Sequence, residues 1–140
     1  MNFKKAETQF EFFSLMLIRA TVFMCEQHVD PLLEIDEIDQ TCDHFVVYDD
    51  PKIIGTCRVI KHGDSWHIGR VAILKEHRKK HVGSFMLEEV EKLARMKNIK
   101  TLQLGAQVSA IAFYEHNGYI QYGEFYVDAD INHIMMEKKL

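Results

Sequence analysis

From Ile68 to Ala94 the chain runs from an apolar strand through a basic turn into an amphipathic helix, and few folds accommodate that order. Ile68, Val71, Ala72, Ile73 and Leu74 make a nearly continuous apolar run, the pattern of a strand covered on both faces. Arg78, Lys79, Lys80 and His81 follow, and then Val82, Phe85, Met86, Val90, Leu93 and Ala94 recur at helical spacing. The basic turn therefore sits where a strand hands over to a helix. The first N–H groups of a helix lack intrahelical partners and lie at the positive end of its dipole, so an anion docks there with help from Arg and Lys. A pyrophosphate of a nucleotide-type cofactor fits that description; an ordinary solvated basic turn has the same composition. No Gly-x-x-x-x-Gly-Lys-Ser/Thr is present, which argues against an ATP-hydrolysing loop. Gly83 is the lone glycine of the turn, so the dinucleotide fingerprint fails too.

A second unit follows. Thr101 to Ala106 reads as a short strand, and Gln107 to Tyr114 opens a helix that stops at Asn117-Gly118. Tyr119 to Val127 reads as another strand. The two units together resemble the GNAT acyltransferase superfamily. Arg78, Lys79, Lys80, His81, Val82, Gly83 is similar to its motif A, Arg/Gln-x-x-Gly-x-Gly/Ala, which wraps the pyrophosphate of acetyl-CoA. His81 stands where the family has a first glycine, and a non-glycine residue there is expected to keep φ negative. Ala110-x-x-Phe113-Tyr114-x-x-x-Gly118-Tyr119 resembles motif B, whose helix lies along the CoA arm. Arg19, Val22, Phe23, Glu26 and Gln27 resemble the opening helix of a small bacterial subgroup. Gly123-Glu124-Phe125 and Ile131-x-His133-x-x-Met136 do so for its last third.

The remaining pattern agrees with one α/β domain over residues 1–140, without repeats or linkers. A strand is expected at Phe3 to Ala6, a long helix from Gln9 to Cys25, and a turn or second helix around Pro31 to Ile38. Strands follow near His44 to Tyr48, Ile53 to Lys61 and Ser65 to Leu74, with a hairpin turn at Gly63-Asp64. A helix spans Val82 to Lys97, and a last strand lies near Ile131 to Lys138. This alternation predicts a mixed sheet covered by helices. The resemblance implies the GNAT fold, with the sheet splayed between the fourth and fifth strands and helices on both faces.

Composition narrows the partners. Acidic residues (21) outnumber basic ones (17), so nucleic acid is not an expected partner. The longest apolar window, Phe10 to Ile18, contains Glu11 and is too short to span a bilayer, and Lys4-Lys5 leads into a charged segment unlike a signal peptide. No membrane partner and a cytoplasmic location are expected. Cys25, Cys42 and Cys57 form no Cys-x-x-Cys pair and read as reduced thiols, bystanders or a nucleophile. His77 and His81 lie four apart but flank three cations and lack the Glu of His-Glu-x-x-His, so no metal is expected.

The resemblance implies an acetyl-CoA-dependent N-acetyltransferase acting by direct attack of a primary amine in a ternary complex, as a monomer or homodimer. It assigns Val71, Ala72 and Ile73 to backbone pairing with the pantetheine arm. Arg78, Lys79, Lys80, His81, Val82, Gly83 and Ser84 are assigned to the pyrophosphate, and Tyr114 to the departing sulfur. Glu26, Glu34, Asp36 and Asp39 either attract the acceptor's ammonium group or form a solvated, charged loop. Deprotonating the amine needs a base, for which Glu26, Glu124 and His133 are candidates; His133 also reads as a half-buried structural histidine. The acceptor is a small-molecule or peptide amine. A catalytically idle CoA-binding regulator on the same fold is the other reading.

Overall fold

The computed structural model describes residues 1–140. Seven strands form one sheet in the order β1-β2-β3-β4-β5-β7-β6. The strands are β1 (Asn2–Lys5), β2 (Asp43–Asp49), β3 (Lys52–His62), β4 (Ser65–Ile73), β5 (Thr101–Gln107), β6 (Ile120–Asp128) and β7 (Ile131–Lys139). All neighbours are antiparallel except β4 and β5, which are parallel and joined by the crossover helix α3 (Val82–Met96). The mixed, helix-covered sheet expected from the sequence is present. Its two faces follow the two-residue period of the strands. Phe45 and Val47 of β2 pack with Met86, Leu87 and Val90 of α3, whereas Val46 between them packs with Leu15 and Ile18 of α1 (Gln9–Arg19).

The β4–β5 ladder starts at Ser65↔Thr101 and ends at Ile68↔Leu104. Beyond it both strands continue with their other neighbours, β4 with β3 to Gly55↔Ile73 and β5 with β7 to Gln107↔His133. The two strands therefore part, as the fold assignment expects. The cause lies in β4 itself. Arg58 faces Gly69 but Thr56 faces Ala72, so β4 carries one extra residue, and Arg70 within it has φ +49°. A bulge bends its strand and interrupts the ladder, and this one begins one residue after the last β4–β5 pair.

Several boundaries differ from the sequence reading. The expected helix to Cys25 is α-helical only to Arg19 and then π-helical over Ala20–Glu26. The wider turn re-phases the helix, burying Arg19 on one side while Val22 and Phe23 face the splayed strands; a 3.6-residue pattern cannot register that change. Pro31 to Ile38 resolves into α2 (Pro31–Glu34), with Pro31 at its first turn, and a 3₁₀ turn over Glu37–Gln40. The helix after β5 begins as a 3₁₀ turn at Val108–Ala110 before α4 (Ile111–His116). Gly63, at φ +59°, makes the two-residue β3–β4 hairpin, with His62 facing Ser65.

The N-terminus of α1 is closed by a reciprocal cap. The Thr8 hydroxyl accepts from Glu11 N–H, and the Glu11 carboxylate accepts from the N–H groups of Glu7 and Thr8. The same carboxylate accepts from the Tyr48 hydroxyl at 2.9 Å and pairs with Lys4 at 2.9 Å, tying α1 to β1 and β2. Donation from Glu7 N–H, aided by Lys4, Thr8 and Tyr48, holds the Glu11 carboxyl at about 2 against an ordinary 4.5. A depressed folded-state value stabilises the protein above the unfolded value and loses that contribution as pH falls through the folded one. Thermal melts from pH 6 to 2 are expected to fall less steeply between pH 4.5 and 2 in Glu11→Gln than in wild type, from a lower starting point; parallel curves would contradict this account.

Candidate functional site

Where β4 and β5 part, a cleft of about 500 Å³ opens, walled by both strands, the π-helical segment, the turn before α3, α4 and the β6–β7 hairpin. Along its β4 side, Gly69 to Ile73 have no partner on β5, so the backbone groups they turn to that edge, apart from Ile73 O, which accepts from Arg78 Nε, are open to pairing with an extended guest. Val71, Ala72 and Ile73 all line the cleft.

The basic turn lies at one end. Lys79 has φ +60° and His81 φ +63°, so the expectation of negative φ at residue 81 is corrected. The turn itself demands left-handed backbone before α3, and histidine is among the non-glycine residues enriched there. Such a turn aims N–H groups into a shared concavity that suits an anion. Arg78 and Lys79 line the cleft, as do Val82 and Gly83; Lys80 and His81 are exposed and Ser84 is half-buried in the first turn of α3. The Arg78 guanidinium is already engaged. Its Nε donates to Ile73 O at 2.9 Å, and its two other nitrogens donate to the Glu26 carboxylate at 2.8 and 2.9 Å. Hydrogen bonding from Arg78 holds Glu26 below the usual carboxylate range.

Gly83 has a different reason from close ligand approach. A Cβ there would lie 2.8 Å from Phe113 Cζ, so the glycine lets the Phe113 ring of α4 seat against α3. Beside it, Tyr114 is buried, lines the cleft, and meets Tyr119 and Phe113 edge to face at 5.9 and 5.1 Å. Burial, with a small contribution from Cys57, pushes its phenol well above the ordinary value. Cys57 is wholly buried and its thiol is pushed up to about 12, which leaves it inert as a nucleophile.

The acidic segment does not form the open wall or the solvated loop that its composition suggests. Arg19, fully buried, donates to Glu34 at 2.6 and 2.9 Å and to Asp39 at 2.8 and 2.9 Å. Arg58 forks onto Asp36 at 2.7 and 2.9 Å and reaches Asp39 at 2.8 Å. Arg70 donates to Glu34 O at 2.9 Å and Asp36 at 3.3 Å. Burial opposes charge on Asp39, but Arg19, the Asp36 N–H and Arg58 outweigh it and hold the carboxyl far below its usual range. Three guanidiniums thus answer three carboxylates, so Glu34, Asp36 and Asp39 keep little charge for an incoming ammonium. Sequence alone could not pair residues that lie 15 to 36 apart. Asp39 also lies near Cys42 and His44, with ligand-type atoms within 4.8 Å of one another. Two guanidiniums already hold the Asp39 oxygens, so that donor set does not suit a cation.

At the other end stand Gln107 and Tyr126, neither of them a site candidate in the sequence, beside the candidate His133. Gln107 of β5 donates to Gln27 across the cleft at 2.8 Å. Tyr126 of β6 lies over Gly105, where any Cβ would collide with its hydroxyl, and stacks on His133 at 5.5 Å and 22°. A glycine inside a strand signals such a close approach, and Gly105 was the available clue. Glu124 sits in the exposed bulge that shifts the β6–β7 register between Tyr122 and Tyr126, outside the cleft.

A model of the acetyltransferase (GNAT) domain matches residues 40–121. The chain is 31% identical over 143 aligned residues to the uncharacterised protein YyaT of Bacillus subtilis, covering 100% of this chain and 97% of the relative. It is 35% identical to the uncharacterised N-acetyltransferase YjcF of the same organism, covering 86% and 87%. Among solved structures it superposes on an acyl-CoA N-acyltransferase from Pseudomonas aeruginosa with a TM-score of 0.86 at 26% identity, covering 99% of both chains. Alanine should favour an exposed helix position by about 1 kcal/mol. Here Gly83→Ala is expected instead to destabilise by about 1 to 3 kcal/mol in urea unfolding, because the Phe113 ring must move. The same substitution in a Phe113→Leu background should be neutral or stabilising, and equal losses in both backgrounds would refute the packing account.

Proposed function

Because the chain belongs to the GNAT acetyltransferase family, we propose that it transfers an acetyl group from acetyl-CoA to a primary amine by direct attack within a ternary complex. The observation that carries this reading is the parting of β4 from β5 after Ile68↔Leu104, with a basic helix-start turn at one end of the opening. The pantetheine arm, an extended chain bearing amides, pairs with the free edge of β4 at Val71, Ala72 and Ile73. A backbone N–H there polarises the thioester carbonyl. The turn from Arg78 to Ser84 takes the pyrophosphate, which competes with Glu26 for the Arg78 guanidinium. Holding thioester and amine together turns a bimolecular step into an effectively unimolecular one.

Tyr114 acts as a hydrogen-bond donor to the sulfur as negative charge develops on it. A phenol near 10 is already a weaker acid than a thiol near 8.5, and burial of Tyr114 widens that gap. Full proton transfer to the thiolate is therefore uphill, whereas donation without transfer stabilises the departing charge at no such cost. The acceptor is a small-molecule or peptide amine, not a nucleic acid or a membrane, and the protein works as a monomer or homodimer of one domain. No helix is long and apolar enough to cross a membrane. Cys25, Cys42 and Cys57 are all unpaired thiols, which suits the reducing cytoplasm.

The test is release of free thiol from acetyl-CoA with a panel of polyamines, amino sugars, aminoglycosides and peptides bearing free amines. At least one amine should accelerate release. Tight acetyl-CoA binding with no acceleration by any of them would favour the idle CoA-binding regulator instead. Tyr114→Phe should lower kcat up to about a hundredfold with acetyl-CoA affinity unchanged. Since the raised phenol stays protonated, the ratio of wild-type to variant kcat should hold constant from pH 6 to 10; a ratio that collapses toward pH 10 would instead indicate proton donation.

A further inference from the structure

An alkyl ammonium titrates near 10, so an acceptor amine must lose a proton before it can attack. Of the three candidate bases, two are placed against the task. Glu26 is exposed and does not line the cleft, and Glu124 lies on an exposed bulge outside it. His133 lines the cleft and is otherwise buried. Its Nδ1 lies 2.7 Å from Ile131 O, and since a carbonyl can only accept, Nδ1 carries the hydrogen. In the neutral ring the lone pair is thus at Nε2. That nitrogen has no partner within the chain and is not among the buried unpartnered atoms, which are Arg58 Nε and the Tyr119 hydroxyl. It therefore opens into the cleft. The ring is fixed on a second side by its stack on Tyr126, itself seated over Gly105.

We propose that His133 is the general base for the acceptor amine, an assignment that rests on the acetyl-transfer reading above. Nε2 takes the proton that the ammonium must lose and passes it to solvent. The freed lone pair then bonds to the thioester carbonyl carbon as the carbon–sulfur bond breaks. The second proton shed by nitrogen and the departing thiolate combine through solvent to give the CoA thiol. The Ile131 carbonyl fixes the tautomer and Tyr126 the ring plane, so the base is aimed before the amine arrives.

The neighbouring strand β5 and the 3₁₀ turn Val108–Ala110 bring no titratable side chain to His133. On β6 the titratable groups are Tyr122, Glu124, Tyr126 and Asp128, of which Tyr126 and Asp128 line the cleft. Across the cleft stand His67 and Arg70 of β4, Glu34 of α2, Tyr114 of α4, and Arg78 and Lys79 of the basic turn. Among these, Glu34, Arg70 and Arg78 are held in the ion pairs described, which leaves His67 as the other imidazole to control for.

Two variants test the assignment, with spermidine, glucosamine and a short peptide with a free N-terminus as acceptors. His133→Asn keeps a donor at the Nδ1 position and removes Nε2; His133→Gln keeps a polar group near Nε2 that cannot take a proton. Each should melt within a few degrees of wild type and bind acetyl-CoA within about twofold, yet lose about 100-fold or more in kcat/KM for the amine. The acid limb of the kcat/KM profile should vanish in both and persist in His67→Asn. Wild-type rates and an unchanged limb in either folded variant would overturn the assignment alone. Loss of acetyl-CoA binding together with melting temperature would make His133 a packing residue and overturn it as well. Failure of wild type to use any amine would overturn the acetyl-transfer reading and, with it, this assignment.

Discussion

The single extra residue in β4 is the constraint on which the rest of the site depends. Parallel strands that begin in register at Ser65↔Thr101 have no reason to separate after four pairs unless one of them is bent. The bulge between the Arg58↔Gly69 and Thr56↔Ala72 pairs supplies that bend. Left-handed backbone at Arg70 is uncommon for a side chain of this size, and the surroundings hold it there. Its guanidinium donates to Glu34 O and Asp36, so the same residue that breaks the ladder also anchors α2 above the break.

That anchor belongs to a larger arrangement of three guanidiniums and three carboxylates joining α1, α2, the following 3₁₀ turn, β3 and β4. Ion pairs taken out of water regain little net stability, but removing one partner from such a set strands the other at about 3 to 5 kcal/mol. Arg19 has all its nitrogens committed to Glu34 and Asp39, and Arg58 forks onto Asp36. The value of the arrangement is geometric. It fixes the first helix and the acidic segment against the bent strand, so that Val22, Phe23 and Leu33 close one side of the cleft. A second tie, Glu26 to Arg78, joins that wall to the basic turn.

Legibility in the sequence followed the range of the interaction. Motif-length features were readable: the strand, basic turn and helix around Arg78, and the stop at Asn117-Gly118, rest on neighbours within a few residues. Gly83 was recognisable as a required glycine, but its cause, the Phe113 ring, lies thirty residues away. At His81 residue type alone favours negative φ, but the turn before α3 forces a left-handed backbone. Glu34, Asp36 and Asp39 looked like solvent-facing charge because their arginine partners are distant in the chain. The π-helical stretch after Arg19 was invisible because wider turns leave the apolar pattern almost unchanged.

By itself the sequence determined the order of elements, the two faces of the sheet and the family resemblance, since these depend on local propensity, periodicity and short motifs. Only the tertiary structure decided which charges are spent on one another, and which side chains meet across the parted strands. His133 illustrates the difference: the two-residue period of β7 puts it on one face with Ile131 and Met135. Its bond to Ile131 O, its stack on Tyr126 and its opening into the cleft arise from β5, β6 and β7 together. Local pattern fixes where a side chain points along its own strand. Its chemistry is set by partners that arrive through long-range packing, which one-dimensional spacing does not encode.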